Sequence, residues 1–215
     1  MVYKEPMKKI VLFDFDGTIA DTLQPAVRLA NQYLKKEGYP PISGAQLRDM
    51  RNMSPLQLIT HLKFPIWKAL YLAKTVREDL YKEAEKIKIF PGVKKLIQDL
   101  QADGFRLAIL TSNIKKTVDR FLAHQELEVF DYIKCEPNIL EKAKLISSFL
   151  KENNLTKKEV IYIGDEIRDI EATRDVGVQI ISVTWGFNDA DSLQKLKPDF
   201  LVKKPAQILE LLKKT

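Results

Sequence analysis

Residues 10–22 read IVLFDFDGTIADT, and this stretch decides how the rest of the chain is interpreted. The first four residues are apolar and of types that suit strands, which predicts a short, buried parallel strand. The strand ends at once in two carboxylates, Asp14 and Asp16, followed by Gly17. Two carboxylates this close repel each other, and a divalent cation such as Mg²⁺ would relieve that repulsion. The simpler alternative is a polar strand end at which Thr18 begins a turn.

Short apolar runs of the same kind recur along the chain. They are FRLAILT at 105–111, EVIYIGD at 159–165 and VQIISVT at 178–184. Stretches with helical spacing flank them at 92–102, 114–124, 139–153 and 167–176. Alternating strands and helices predict an α/β fold in which helices cover both faces of a parallel sheet. Weaker strands at 131–134 and 199–202 and a last helix from Pro205 would complete that fold.

Residues 22–87 interrupt the alternation, because they offer helix signals and no convincing strand. Ser43 and Ser54 have the character of helix N-caps, Pro55 suits a first helical position, and 65–86 has the spacing of a long amphipathic helix. We therefore predict a small all-helical cap at 22–87, inserted after the first strand, and a core built from 1–21 and 88–215. Ligands of open parallel sheets bind beyond the carboxyl ends of the strands, which places the chemistry under the cap.

Composition narrows the class of protein. The 215 residues are 45% hydrophobic and 30% charged, which is enough for one sizeable core and argues against a disordered or fibrous chain. The single cysteine, Cys135, cannot build a disulfide framework, and a reducing cytoplasm fits it best. The N-terminal residues lack the apolar region of a signal peptide. No run approaches the roughly 20 apolar residues of a membrane span, so we expect a soluble protein without membrane contact.

The charge balance gives a weaker indication. The formal net charge of +6 favours anionic partners, but 35 basic residues are interspersed with 29 acidic ones. A solvated basic surface explains this pattern, and nucleic acid is not required. His61 and His124 have no partner at metal-ligand spacing, so we assign neither a role.

The DFDGT string resembles the first motif, DxDxT, of the haloacid dehalogenase-like superfamily, and the resemblance extends over nearly the whole chain. It implies that Asp14 attacks phosphorus. It also implies that Asp16 protonates the leaving oxygen and then activates water against the aspartyl-phosphate. Dehalogenases of this superfamily lack the second aspartate, so Asp16 indicates phosphoryl transfer.

The second motif of the superfamily is a threonine or serine at the end of the next core strand, and Thr111 fills that place. Its hydroxyl, with the backbone N–H groups of Ser112 and Asn113 near a helix start, would hold phosphate oxygens. An ordinary helix N-cap is an equally simple explanation of these residues when they are considered alone.

The third motif is a lysine that neutralises the nucleophile and the phosphoryl group. The candidates are Lys134, Lys142 and Lys144. On a helix that begins at Ile139, Lys142 shares the core-facing stripe with Ile146 and Phe149. Lys144 is turned about 200° away and should face water, so Lys142 is the better candidate. Glu141 stands where many members have glycine, and a surface lysine whose stem packs on the core remains the alternative.

The fourth motif begins at Gly164 in GDEIRDIEATRDVG. Gly164 permits close backbone approach, and a helix can present Asp165 and Asp169, four residues apart, on one side. The resemblance implies that Mg²⁺ binds Asp14, the backbone carbonyl of Asp16 and Asp165. Asp169 would support the metal from outside its ligand shell or hold Lys142, with Glu166 assisting. The alternative is an acid-rich helix N-terminus, which is common in any protein.

The cap carries a candidate specificity segment, LRDMRNMSPLQLI at 47–59. It resembles the phosphoglycolate phosphatase and β-phosphoglucomutase branch, although Asp49 replaces a glycine that is frequent there. Arg48 and Arg51 project to one side of a helix and would meet a substrate carboxylate or second phosphate. Two solvated arginines are the simpler alternative. TWGF at 184–187 also resembles phosphoglycolate phosphatases, or is a structural turn.

Together these motifs predict a Rossmann-like core that hydrolyses phosphate monoesters of small metabolites with Mg²⁺, through an aspartyl-phosphate. Phosphoglycolate is the leading named substrate. A phosphosugar mutase and a non-enzymatic phospho-aspartate module, comparable to response-regulator receivers, remain alternatives. Asp16 and the cap argue against the module, because both serve turnover. The sequence does not determine the oligomeric state.

Overall fold

A computed structural model describes residues 10–53, 57, 65–136 and 141–214. The strands are β1 (Ile10–Phe13), β2 (Ala20–Asp21), β3 (Lys88–Ile89), β4 (Arg106–Thr111), β5 (Tyr132–Cys135), β6 (Val160–Gly164), β7 (Gln179–Val183) and β8 (Phe200–Val202). The helices are α1 (Leu23–Lys36), α2 (Gly44–Met50), α3 (Ile66–Lys82), α4 (Val93–Ala102), α5 (Lys115–His124), α6 (Lys142–Glu152), α7 (Ile167–Val176), α8 (Ala190–Lys195) and α9 (Pro205–Lys214).

Six strands form one parallel sheet in the order β5-β4-β1-β6-β7-β8, which confirms the predicted α/β fold. β1 lies in the interior between β4 and β6, and all four of its residues are buried. The chain runs outward from β1 through β4 and β5, then crosses to the other side for β6, β7 and β8. The carboxyl end of β1 is therefore next to the point where the direction of winding changes, where ligands of such sheets bind.

Alternate residues of β1 contribute to two separate apolar clusters, one on each face of the sheet. Val11 and Phe13 pack with α4, α5 and α9, whereas Ile10 and Leu12 pack with α6, α7 and α8. This division follows from the two-residue repeat of a strand, because successive side chains point to opposite faces. An interior strand of a parallel sheet must therefore be apolar at every position, as β1 is.

The described residues of the cap segment, 22–87, form α1, α2, α3 and a short 3₁₀ turn at Ala84–Lys86. The predicted helix at 65–86 instead ends at Lys82 and is followed by that turn. The predicted N-cap at Ser43 is confirmed, since its hydroxyl accepts a hydrogen bond from the Gln46 N–H. Ser54, Pro55, His61 and Ile139 lie outside the described residues.

Two short strands that the sequence analysis missed flank the cap segment. β2 and β3 pair antiparallel, with Ala20 opposite Ile89 and Asp21 opposite Lys88. Two residues in each strand are too few to show a periodicity, which explains the omission. The chain thus enters and leaves the cap segment through paired strands. The division into a core and a cap at 22–87 stays a prediction.

The two weaker strands each begin one residue later than predicted, for one shared reason. Asp131 lies just before β5, and its carboxylate accepts a hydrogen bond from the Leu107 N–H at 2.9 Å. Asp199 lies just before β8 and does the same for the Ile180 N–H at 2.9 Å. In both places a side chain satisfies the backbone donor of the neighbouring strand. None of the described helices is long and apolar enough to cross a membrane.

Candidate active site

Asp14, Lys142 and Asp169 meet in the interior of the protein, beyond the carboxyl end of β1. Nζ of Lys142 donates to Oδ2 of Asp14 at 2.6 Å and forms an ion pair with Asp169. The three side chains are 1%, 6% and 0% exposed for Asp14, Lys142 and Asp169 respectively. Burial lowers the pKa of Lys142, but the two carboxylates outweigh it and hold that pKa well above the usual value. Lys142 is therefore a fixed positive charge.

The other two candidate lysines lie away from Asp14. Nζ of Lys134 donates to Glu152 at 2.6 Å and to Ser148 at 2.9 Å. Lys144 forms a surface pair with Glu141, and its side chain is 78% exposed. The helical stripe argument thus selected the lysine that the fold brings to Asp14.

The pKa of the Asp14 carboxyl is close to neutral pH. Burial raises its pKa to about 7, while the positive charge of Lys142 acts in the opposite direction. Its second oxygen, Oδ1, accepts a hydrogen bond from the Phe15 N–H at 2.8 Å. A further cation beside Asp14 would favour the ionised form, which is the form that can act as a nucleophile.

Asp165 follows β6 and is fully buried. Its Oδ1 accepts a hydrogen bond from the Thr18 hydroxyl, and its Oδ2 accepts one from the Phe187 N–H, both at 2.7 Å. Burial raises the pKa of Asp165 well above its usual value, and the nearby carboxylates of Glu166 and Asp169 add to that effect. A buried carboxylate in this environment is most stable as an anion when a cation binds it.

These carboxylates could hold a metal ion. One oxygen from each of Asp14, Asp165 and Asp169 lies within 4.8 Å of the other two. Three buried carboxylates lie around Lys142, and the positive charge of Arg168 also acts on Asp14 and Asp169. Clustered carboxylate oxygens are the donor set that hard divalent cations prefer. The residues present therefore fit such an ion.

Three glycines make room for the carboxylates. A Cβ at Gly17 or Gly186 would overlap the Asp165 carboxylate, and a Cβ at Gly164 would overlap that of Asp169. Gly17 also has a φ of +78°, which favours glycine. The sequence analysis singled out Gly164 for close approach but left Gly186, in TWGF, as part of a turn. Only the fold shows which side chain that turn surrounds.

Asp16 lies at the wall of a cavity and is held by a neighbouring loop. Nδ2 of Asn113 donates to both carboxylate oxygens of Asp16, at 3.0 and 3.1 Å. Burial raises the pKa of Asp16, whereas hydrogen bonds from Thr22 and Asn113 lower it. A carboxyl group with a raised pKa keeps its proton to a higher pH than usual, which suits a group that must first give a proton and then accept one.

The loop after β4 places Thr111, Ser112 and Asn113 at the same end of the sheet. Thr111 is fully buried, and its Oγ1 accepts a hydrogen bond from the Asn113 N–H at 3.0 Å. The sequence analysis expected that N–H group to hold a phosphate oxygen, but it instead donates a hydrogen bond within the loop. Ser112 and the Asn113 side chain line the cavity.

Glu166 and Asp169 form a reciprocal cap at the start of α7. The Glu166 N–H donates to Oδ2 of Asp169 at 3.0 Å, and the Glu166 side chain accepts from the Asp169 N–H. The sequence analysis missed Arg168, which pairs with Glu166 at 2.7 Å and contacts the Ser112 hydroxyl. The signal available was its position inside GDEIRD. These two hydrogen bonds at the start of α7 fix Asp169, which in turn holds Lys142.

The two cap arginines lie in different surroundings. Arg48 is exposed in the last turn of α2. Arg51 donates from Nε to the Phe187 carbonyl and from Nη2 to the Gly186 carbonyl, both at 2.9 Å, and its own carbonyl accepts from Asn188 at 2.8 Å. Within the described residues, neither arginine lines the cavity. Their role in substrate binding stays a prediction.

A cavity of about 360 Å³ lies between the cap segment and the loops at the carboxyl ends of the strands. On the core side it is lined by Asp16, Gly17, Ser112, Asn113, Glu166 and Phe187, and on the cap side mostly by apolar residues of α1, α2 and α3. Such a cavity, apolar with a few polar groups at one end, is typical of small-molecule sites. It opens next to Asp16, two residues from Asp14.

Comparison with known proteins agrees with this architecture. A phosphoglycolate phosphatase of Synechococcus elongatus is 33% identical over 201 residues, which cover 93% of this chain and 95% of that protein. A pyrophosphatase PpaX of Bacillus mycoides is 24% identical over 222 residues, covering 94% and 95%. The solved structure of a haloacid dehalogenase-like hydrolase from Streptococcus pneumoniae is similar with a TM-score of 0.80 at 25% identity, covering 95% of this chain and 98% of that one.

The sequence model of haloacid dehalogenase-like hydrolases matches residues 11–183. This range includes all four motifs and the whole cap segment, and the relatives align along almost the full length of the chain. The family predicted from the DFDGT string is confirmed. The chain belongs to the haloacid dehalogenase-like hydrolase family.

Proposed function

We propose that this hydrolase is a phosphatase that cleaves phosphate monoesters of small metabolites, with phosphoglycolate as the leading named substrate. The observation that carries the proposal is the buried ion pair between Asp14 and Lys142 beside a cavity lined by Asp16. It combines an anionic oxygen, a fixed cation and an acid/base group. The name of the relative from Synechococcus elongatus supports the choice of substrate.

In the first step, a carboxylate oxygen of Asp14 attacks phosphorus and forms an acyl phosphate. The bond from phosphorus to the ester oxygen breaks, and Asp16 gives its proton to that oxygen, so the product leaves as an alcohol. In the second step Asp16, now ionised, accepts a proton from water as the water oxygen attacks phosphorus. The bond from Asp14 to phosphorus breaks and inorganic phosphate is released. A well-placed acid/base typically contributes about 10²- to 10⁴-fold.

The surrounding residues keep these groups in place and balance charge. Lys142 lowers the repulsion between Asp14 and the incoming phosphoryl group, because its Nζ already contacts the attacking carboxylate. Asp169 holds Lys142 from the opposite side. The Thr111 hydroxyl and the backbone of Ser112 would hold phosphoryl oxygens. Asn113 orients Asp16 through its side-chain amide.

We assign the metal site to Mg²⁺, held by Asp14, the backbone carbonyl of Asp16 and Asp165. Bound there, the ion would neutralise negative charge on the phosphoryl group and the nucleophile. Asp169 and Glu166 would support the site without binding the ion directly, because Asp169 holds Lys142 and the Glu166 N–H holds Asp169. A cytoplasmic location is part of the proposal and rests on the single cysteine, Cys135.

The test is phosphate release in the presence of Mg²⁺ from a panel of compounds. The panel contains 2-phosphoglycolate, sugar phosphates, nucleoside monophosphates, pyrophosphate and p-nitrophenyl phosphate. We expect Asp14→Asn to abolish turnover while the far-ultraviolet circular dichroism spectrum is unchanged. Asp119→Asn, which removes a surface carboxylate paired with Lys115, is the matched control and should retain activity.

Three results would overturn the proposal. Undiminished hydrolysis by Asp14→Asn would exclude the covalent mechanism. Formation of an isomeric sugar phosphate without free phosphate would identify a mutase. A stable phosphoryl adduct without steady phosphate release would identify a regulatory module.

A further inference from the structure

The cavity contains one positive charge on its cap side. Arg77, on α3, lines the cavity together with apolar side chains that include Leu23, Val27, Met50 and Val76. Among the described lining residues the charged ones are Asp16, Arg77 and Glu166, and Glu166 is already paired with Arg168. Arg77 is the cation of this set. A guanidinium in an apolar wall is unusual and requires an explanation.

The Arg77 guanidinium makes no ion pair with a carboxylate and no hydrogen bond to a carbonyl group in the part of the chain that the structure describes. Three other arginines of the cap and its surroundings do have one. Arg28 pairs with Glu83, Arg51 binds two carbonyl groups and Arg120 pairs with Glu85 at 2.9 Å. Arg77 is nevertheless partly buried, and burial lowers its pKa although the charge of Asp16 acts in the opposite direction. Partial burial without a partner has a cost that an anionic ligand would remove.

The position of Arg77 across the cavity from Asp16 indicates the class of that ligand. Asp16, Ser112 and Asn113 line the core end of the cavity, and Arg77 lines the cap end. A phosphate ester with its phosphorus at Asp14 would extend its leaving group from Asp16 into the cavity. The cap side of the cavity, which that leaving group would enter, is lined by Arg77.

We propose that Arg77 is the subsite for a carboxylate on the leaving group, so that the substrate class is the phosphorylated small hydroxy acids. This inference rests on the proposed phosphatase function. The planar guanidinium matches a carboxylate in shape and charge through two parallel hydrogen bonds. A second phosphate would carry about two negative charges against this single cation. The apolar side chains around Arg77 would reduce competition from water and so strengthen the contact.

The test compares 2-phosphoglycolate with ethyl phosphate, which has a two-carbon leaving group but no carboxylate. We expect Arg77→Met to lower the ratio of kcat/KM for 2-phosphoglycolate over ethyl phosphate by about 10- to 100-fold, mainly through KM. Arg77→Lys keeps the charge but not the paired geometry and should lower the ratio less. Lys74→Met is the matched control, because Lys74 lies on the same helix with its side chain 68% exposed. The control should leave the ratio unchanged.

A binding measurement separates failure of this inference from failure of the proposed function. In an Asp14→Asn background, calorimetry needs no turnover, and 2-phosphoglycolate should bind at least about tenfold more tightly than ethyl phosphate. Adding Arg77→Met should remove that difference. An unchanged kinetic ratio, equal losses on both compounds or an equal effect of Lys74→Met would overturn the inference. So would calorimetry that shows no preference, since it would mean that Arg77 is merely hydrated.

Discussion

Nζ of Lys142 lies 2.6 Å from Oδ2 of Asp14, although 128 positions of sequence separate the two residues. The pair joins the first turn of α6 to the end of β1, and the same nitrogen forms an ion pair with Asp169 in α7. One buried lysine thus compensates two buried carboxylates from different parts of the chain. Because a buried charge without a partner is costly, each member of this group is needed by the others.

Replacing Lys142 should affect both stability and catalysis. Lys142→Met would leave Asp14 and Asp169 buried without their cation, and we expect a loss of about 3–5 kcal/mol in the free energy of unfolding. Below the melting temperature, kcat should fall by about 10²- to 10³-fold, since an electrostatic group at the phosphoryl site is lost. Urea unfolding and phosphate release measure the two effects.

Lys144→Met, in the same helix turn, is the matched control. Its surface pair with Glu141 contributes little, so the free energy of unfolding should change by less than about 0.5 kcal/mol. Similar behaviour of the two variants would contradict the assignment of Lys142.

Gly186 is required because of its contact with Asp165. In Gly186→Ala the added Cβ would overlap the Asp165 carboxylate, so the loop or the carboxylate must move. We expect a destabilisation of about 1–3 kcal/mol and a loss of about 10²-fold in kcat/KM. Gly44→Ala is the control, since the nearest atom to its Cβ is 3.8 Å away and alanine favours the helix. Full activity in Gly186→Ala would show that the position of Asp165 is not critical.

Arg51 connects the cap segment to the core loop that surrounds Asp165. Arg51→Ala would leave the carbonyl groups of Gly186 and Phe187 without their hydrogen-bond donor. We therefore expect the free energy of unfolding to fall by about 1.5–3 kcal/mol. Arg48→Ala, at an exposed position, should be close to neutral in stability.

Kinetics decide whether these arginines also bind substrate. If they do, each alanine variant should raise KM for the preferred compound more than for p-nitrophenyl phosphate. If Arg51 acts only as a connection, both compounds should lose kcat/KM equally. A wild-type melting temperature for Arg51→Ala would contradict the connecting role.

Cys135 should react slowly with alkylating reagents at neutral pH. Burial raises the pKa of its thiol from 9.0 to about 11, while the charge of Lys115 acts in the opposite direction. Because the thiolate is the reactive form, the rate with iodoacetamide should rise about tenfold per pH unit from pH 7 to 10 and level off near pH 11. In urea the same profile should level off near pH 9. A folded-state midpoint at or below 9 would contradict the expected burial.

Local patterns were sufficient for much of the fold. Apolar runs such as 159–165 and 178–184, alternating with helical spacing, predicted the parallel sheet, because the repeat of each element is written in adjacent residues. The edges of the sheet were less predictable. Asp131 and Asp199 bind backbone donors of neighbouring strands, and the β2 and β3 pair is too short to leave a pattern.

The sequence by itself determined the family, the parallel sheet and the choice of Lys142 over its neighbours, because short motifs and helical periodicity depend on residues close along the chain. Only the tertiary structure decided that Gly186 packs against the Asp165 carboxylate and that Arg51 binds the Phe187 carbonyl. It also decided that Arg77 lines the cavity. These relationships join segments far apart in sequence. They depend on how helices and loops pack and on where each side chain points, and a local sequence pattern does not specify contacts between distant segments.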